Sequence, residues 1–251
     1  MLTSQRKREI LDTLVRDGQV IAKMLSDRFA VSEDTIRRDL REMAAEGLLQ
    51  RVHGGALPAS QAVAELSVRV DLSSSAKERI ARAAARLVKP GHTIILDGGT
   101  TSIQLVRSLP LTLAATVVTH SPNVAVELAM HHDVEVILIG GRLFRHSMVT
   151  VGAAAIEALG HIRADVFFMG VTGVHLHAGL STGDLEEAYV KRALSAQAAE
   201  TIVLASMEKI NTASRCKIGD IGLASSIVVE RDAPADFIAE LEQRGISVVL
   251  A

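Results

Sequence analysis

VSEDTIRRDL, residues 31–40, is the stretch from which the chain is best read. Ser32 is an N-cap residue type, and Glu33 and Asp34 follow it where the helix macrodipole favours negative charge. The spacing predicts a helix from Ser32 to Glu46, ended by Gly47. At about 100° per residue, Ile36, Leu40 and Met43 fall within about 60° of one another, which makes a buried seam. Thr35, Arg38 and Arg41 fall on the opposite face, with Arg37 on the flank. Guanidiniums and a hydroxyl on one helix face suit a duplex major groove. Arg pairs bidentately with guanine or grips phosphate, and Thr meets a base edge or a thymine methyl.

The segments on either side fit the same reading. Residues 4–17 (SQRKREILDTLVRD) predict a helix capped by Ser4, with Ile10, Leu11 and Leu14 on one face and Gly18 as its stop. Residues 20–29 (VIAKMLSDRF) predict a second helix with Ile21, Leu25 and Phe29 at four-residue spacing, followed by a turn at Ala30-Val31. That helix would cross the DNA backbone. Downstream, residues 48–56 (LLQRVHGGA) predict a short wing turning at His53-Gly54-Gly55, which puts Arg51 and His53 in reach of phosphate or the minor groove. The first 56 residues carry ten Lys and Arg against nine Asp and Glu. Charge alone would equally suit a three-helix bundle with a solvated face. The ordered sequence of helix, turn, capped helix and Gly-Gly wing favours double-stranded DNA.

This segment resembles the DeoR-type winged helix-turn-helix. The resemblance rests on Arg6 and Ile10, on Val31-Ser32-x-x-Thr35-Ile36-Arg37-Arg38-Asp39-Leu40, and on Arg51-x-His53-Gly54-Gly55-Ala56. In that family the helix-turn-helix proper would map to about Val20–Asp39. Ser32, Thr35, Arg37, Arg38, Arg41, Arg51 and His53 are the candidate DNA-binding residues. Asp39, beside Arg38, is read as orienting an arginine.

The chain has 251 residues, room for one large domain or two smaller ones. The expected division is a DNA-binding module over 3–58, a linker over 59–76 and a second domain over 77–251. The linker stretch is rich in Ser and Ala and is partly ordered by Leu66, Val68 and Val70. A helix is expected over Lys77–Val88. Beyond it come short apolar runs at 93–96, 115–119, 134–140, 164–170, 201–205, 226–229 and 246–250. Helical patterns lie between several of them, at 101–109, 121–131, 185–199 and 234–244. The fold class is therefore α/β with a mainly parallel sheet, Rossmann-like in outline.

Ligands of such sheets sit beyond the strands' carboxyl ends, where helix N-termini collect anions. ILDGGTTS (95–102) offers Asp97, then Gly98 and Gly99 for close backbone approach, then Thr100 and Thr101 at a helix start. It matches neither G-x-G-x-x-G nor G-x-x-x-x-G-K-[ST], which argues against a dinucleotide or a nucleoside triphosphate. His120 follows the second strand, and Arg142 follows two glycines. Thr182 precedes a helix carrying Glu187 and Lys191 at i,i+4, and Lys209 follows a later strand. The Glu187–Lys191 spacing would by itself indicate a surface ion pair.

These residues resemble the DeoR sensor domain, related in fold to ribose-phosphate isomerases and glucosamine-phosphate deaminases. The resemblance covers about Lys77–Arg231. It rests on Asp97-x-Gly99-Thr100-Thr101, Thr119, Gly140-Gly141, Gly179-Leu180-x-Thr182, Glu187-Ala188 and Val190-Lys191-Arg192. It implies a phosphorylated sugar or related effector, with Gly98–Thr101 on the phosphate and Glu187, Lys191 and Lys209 at the sugar end. This chain has His120 where many members have Asn, and Ser206 where many have Asp. The family reading implies a repressor of a carbohydrate operon, acting as a homo-oligomer (dimer or tetramer).

Two further readings compete with this one. A working sugar-phosphate isomerase could use Asp97, Glu187 and Lys191 as base and electrophile, but an enzyme has little use for a DNA-reading head. A redox sensor would want the missing G-x-G-x-x-G. No cofactor or metal is expected: His175-x-His177 lacks a third ligand in register, and His131-His132 gives no more. The lone Cys216 reads as a small apolar filler. With no secretory h-region and no 18-residue apolar run, a cytoplasmic chain without a membrane segment is expected.

Overall fold

A computed structural model gives the fold and describes residues 2–66, 72 and 74–251. Helix α1 (Thr3–Asp17) begins without a side-chain cap, so Ser4 lies inside the helix rather than at its end. It closes at Gly18, whose φ of 70° lets its N–H reach Leu14 O at 3.0 Å. The expected second helix is shorter than its pattern. Val20–Ile21 forms a strand, β1, and only Ala22–Phe29 is helical (α2). The wing strands β2 (Leu49–Val52) and β3 (Gly55–Pro58) supply the reason. Val20 and Ile21 pair with Ala56 and Gly55, so two β-branched residues join a ladder instead of a helix. Gly55 is required there, since a Cβ would lie 1.9 Å from the Val20 carbonyl oxygen.

Helix α3 (Glu33–Ala45) starts as the sequence indicates, with Ser32 Oγ accepting the Thr35 N–H at 3.2 Å. Ile10, Leu14, Leu25, Ile36, Leu40, Met43 and Leu49 form the core of this module. One buried ion pair crosses it. Arg6 Nε and Nη2 donate to the two Asp39 carboxylate oxygens at 2.5 and 3.1 Å, tying α1 to α3. Asp39 does orient an arginine, but that arginine is Arg6 from another helix, not its neighbour Arg38.

The second domain is built on seven parallel strands in the order β15-β14-β12-β9-β4-β5-β6. These are β4 (Thr93–Leu96), β5 (Ala115–Thr119), β6 (Val134–Leu138), β9 (Ala164–Gly170), β12 (Ala198–Leu204), β14 (Ser226–Val229) and β15 (Ser247–Leu250). Helices α4 (Ser74–Ala85), α5 (Thr100–Ser108), α6 (Pro122–Glu127), α7 (Ala153–Leu159), α8 (Leu185–Ala196) and α9 (Ala235–Gln243) accompany it. Two apolar cores cover the sheet, one centred on Ile95, Phe167 and Val203, the other on Ile94, Leu96 and Phe168. The alternation Ile94, Ile95, Leu96 along β4 feeds both, as a strand buried on two faces must. Chain order runs one way from β4 through β5 to β6, then resumes on the other side of β4 with β9. The β4–β9 junction is thus the topological switch point, where a crevice opens at the strands' carboxyl ends.

Two small sheets have no counterpart in the sequence pattern: the hairpin β7 (Arg142–Phe144) with β8 (Val149–Val151), and β10 (Gly173–His175), β11 (Gly179–Thr182) and β13 (Cys216–Gly219). Their three- and four-residue strands are too short to show a period. Helix α4 starts at Ser74, three residues before the expected Lys77. Of the expected linker anchors, Leu66 donates its N–H to His146 O at 3.1 Å, whereas Val68 and Val70 lie outside the described residues.

Truncating Arg6 to Ala should leave the Asp39 carboxylate buried and unpaired, costing roughly 3 kcal/mol in urea unfolding of the amino-terminal module. Arg6→Met combined with Asp39→Leu should recover most of that loss. A single variant as stable as the parent would show that the pair holds nothing together.

Candidate functional site

The site starts from Asp97, the residue after β4, which is fully buried. Its Oδ1 accepts the Gly98 N–H and His120 Nε2, both at 2.8 Å. Its Oδ2 accepts the Gly170 N–H at 2.8 Å and the ammonium of Lys191. Lys191 also donates to Gly170 O at 3.0 Å. The other ring nitrogen of His120, Nδ1, lies 3.0 Å from the Thr150 carbonyl oxygen. Both ring nitrogens therefore face acceptors. Burial on its own would push the Asp97 carboxyl upward. The Lys191 charge and the hydrogen bonds from His120 and Lys191 outweigh that and hold it well below the usual carboxylate range.

Above this cluster lies a cleft with an empty volume of about 880 Å³. Its floor is the Gly98–Ser102 corner. Gly99, at φ 112°, leads into the N-terminus of α5, whose first residues Thr100, Thr101 and Ser102 face the cleft. Gly98 packs against β8, where a Cβ would meet Val149 Cγ1 at 2.2 Å. The Ser102 hydroxyl is buried and has no hydrogen-bond partner among the described residues. A helix N-terminus and an unsatisfied buried hydroxyl at one corner of the cleft can together accept an anionic oxygen group.

Gly98, Gly99, Thr100, Thr101, Thr182, Glu187, Lys191 and Lys209 all line the cleft. Three other expected residues do not. Asp97 and His120 lie beneath the floor, consumed by the buried network. Arg142 is exposed on β7 outside the cleft lining, and Gly141 beside it packs closely against Val151 and Ala155. Glu187 and Lys191 are not a surface ion pair. Both are buried, Glu187 accepting the Thr182 hydroxyl at 3.1 Å while Lys191 turns to Asp97. Of the three residues in the isomerase reading, Asp97 is withdrawn from the cleft, while Glu187 and Lys191 still line it. Ser102, Glu208, Lys77 and the linker residues Ala62 and Val63 line the cleft as well, beyond what the sequence indicates. The run Thr-Thr-Ser carries a signal for Ser102; nothing local marks Val63.

In the amino-terminal module, Arg38 and Arg41 are exposed on α3, as are Arg51 and His53 on the wing. Arg37 is also exposed but pairs with Glu33 at 2.7 Å and Asp34 at 3.4 Å. The Ser32 and Thr35 hydroxyls bond each other at 3.0 Å. Among the described residues, no group of three His, Cys, Asp or Glu side chains is placed to hold a metal ion. Nor is any described helix long and apolar enough to cross a membrane.

A winged helix joined to a sheet domain with an anion-accepting cleft defines a ligand-responsive DNA-binding regulator. Residues 6–62 match the family model described as a DeoR-like helix-turn-helix domain, and residues 72–231 match the DeoR C terminal sensor domain. The chain belongs to the DeoR family, whose members are transcriptional regulators and not enzymes. It is 31% identical to the HTH-type transcriptional regulator GlpR of Haloferax volcanii, over 99% of this chain and 98% of that one. It is 29% identical to the glycerol-3-phosphate regulon repressor of Escherichia coli, over the full length of both. Among solved structures, ribose 5-phosphate isomerase A from Methanocaldococcus jannaschii aligns with a TM-score of 0.41 and 20% identity, over 55% of this chain and 54% of that one. That likeness is too loose to bear on chemistry.

The depressed Asp97 carboxyl fixes a pH window. A carboxylate held low in the folded state contributes stability above its unfolded value of about 3.9 and loses it as pH falls further. In thermal melts the parent should exceed Asp97→Asn at neutral pH, with the margin shrinking below about pH 4. A margin as wide at about pH 3 as at neutrality would contradict the network.

Proposed function

We propose that this protein represses a carbohydrate-utilisation operon and that a phosphorylated sugar or related metabolite in the cleft modulates its hold on operator DNA. The observation that carries this reading is the route of the linker. Directly after β3 of the wing, Ala59 bridges to Ala213, and Ser60 donates its hydroxyl to the Thr172 carbonyl beside the cleft. Ala62 and Val63 then form part of the cleft wall. Val63 approaches Gly183 so closely that a Cβ there would lie 3.0 Å from Val63 Cγ1. A ligand in the cleft thus meets the segment that leads out of the reading head. Coupling requires the ligand to bind one arrangement of that segment better than another.

Gly98–Ser102 take the phosphate, and Thr182, Glu187, Lys191 and Lys209 face the sugar. Ser32, Thr35, Arg37, Arg38, Arg41, Arg51 and His53 form the DNA face, with Arg38 freer than Arg37 to enter a groove. One reading head covers one half-site, so we assign a homodimer or tetramer. A regulator of chromosomal DNA is assigned to the cytoplasm.

Gel shifts on the region upstream of the protein's own gene test the DNA face. Arg38→Ala should cost about 1–3 kcal/mol of specific binding, and Arg37→Ala less. Equal, unaltered affinities would remove α3 from the interface. A panel of triose, pentose and hexose phosphates tests the cleft. One of them should shift operator affinity about 5–150-fold. Thr100→Val with Ser102→Ala should abolish that shift and leave binding in the absence of sugar phosphate unchanged. A retained response would overturn the cradle.

A further inference from the structure

A second hollow lies between the wing and the sensor domain, with an empty volume of about 1410 Å³. One wall is the wing, with Arg51 and His53. The other is the small β10–β11–β13 sheet and its turns, with His175, His177, Arg215 and Lys217. Among the described residues that line it there is no carboxylate. In a chain with 29 acidic residues against 27 Lys and Arg, that is a marked local imbalance. Lys217 shares its charge with Asp220 at the margin, while neither Arg51 nor Arg215 has a carboxylate partner among the described residues. The Nδ1 of His175 accepts the N–H groups of His177 and Ala178, each at 3.1 Å, so its proton sits on Nε2 as a donor. The hollow therefore presents cations and donors from both domains.

We propose that this hollow holds the phosphate backbone of duplex DNA where it leaves the wing, so that the sensor domain itself grips DNA. The inference rests on the DNA-reading function proposed above. Arg51 belongs to the wing and to the hollow at once, which makes the two surfaces continuous. Arg51, Arg215 and Lys217 are all exposed. Solvent would screen their hold on a free small anion, whereas a duplex releases condensed counterions for each phosphate neutralised. The placement also bears on control. Ser181 lines the hollow and its neighbour Thr182 lines the effector cleft. Successive residues of a strand face opposite ways, so β11 presents one side chain to each site, and Thr172 of the cleft bonds Ser214 of the hollow at 2.8 Å.

Phosphate contacts are independent of sequence, so the test uses the full chain and a fluorescein-labelled duplex of arbitrary sequence, about four helical turns long. Anisotropy titrations run from about 50 to about 200 mM KCl. Arg215→Ala with Lys217→Ala should lower the slope of log affinity against log salt by about 0.9 for each phosphate no longer neutralised. Arg86→Ala with Lys89→Ala removes the same charge from exposed positions outside the hollow and should keep the parent slope. Circular dichroism checks that both variants are folded. A parent-like slope for the first variant, or equal reductions in both, overturns the proposal while the DNA-reading function stands. A parent that binds no duplex at any salt overturns both.

Discussion

The Asp97 carboxylate accepts four hydrogen bonds at the point where the parallel sheet changes direction. The donors come from the residue after it, from the end of β5, from the end of β9 and from α8. An ionised carboxylate loses several kcal/mol of hydration on burial, and only a complete set of partners offsets it. The carboxylate therefore fixes where four segments meet. Lys191 is drawn inward, and that holds α8 so that Glu187 and Thr182 form a wall of the cleft. His120 spans from Asp97 to the Thr150 backbone, which anchors the β7–β8 hairpin above the same floor. The Gly98–Ser102 floor offers backbone N–H groups and hydroxyls, with Asp97 and His120 beneath it and Glu187, Lys191 and Lys209 along the walls.

The amino-terminal module solves a similar problem on a smaller scale. The run Arg37-Arg38-Asp39 splits by direction, with Asp39 buried against Arg6 and both arginines outside. The buried pair sets the angle between α1 and α3. The Glu33 and Asp34 carboxylates of the first turn pair with the Arg37 guanidinium, and Arg38 lies within electrostatic reach of Glu42. A helix that reads a groove needs such rigidity, since a base contact depends on an angle as much as on a charge.

Just after the wing, the described chain is tied to the second domain. Ala59 bridges to Ala213, Ser60 bonds to Thr172, and Ala62 and Val63 line the cleft. On the other side of β11, the wing faces the small antiparallel sheet across a cationic hollow. A ligand that prefers one position of the linker shifts the equilibrium toward that position by its differential affinity. The fold thus places the cleft and the cationic hollow on either side of β11, with Thr182 lining the one and Ser181 the other.

The local patterns legible in the sequence are those governed by neighbours a few residues apart. The capped helix at Ser32, the stop at Gly18, the Gly-Gly turn of the wing and the parallel strands at 93–96, 115–119, 164–170 and 226–229 all depend on such short-range chemistry. The Gly98–Thr101 corner is legible for the same reason: glycines and hydroxyls at a strand-to-helix turn act through their own backbone. Decisions that need distant partners are not legible. Val20–Ile21 becomes a strand because β3 is there to pair with it. Arg142 is turned away by a hairpin too short to show a period. Glu187 and Lys191, spaced as a surface pair, are separated because Lys191 meets a carboxylate 94 positions earlier in the chain. Burial converts a spacing into a role only after the sheet has brought remote segments together, and that is a property of the tertiary structure alone.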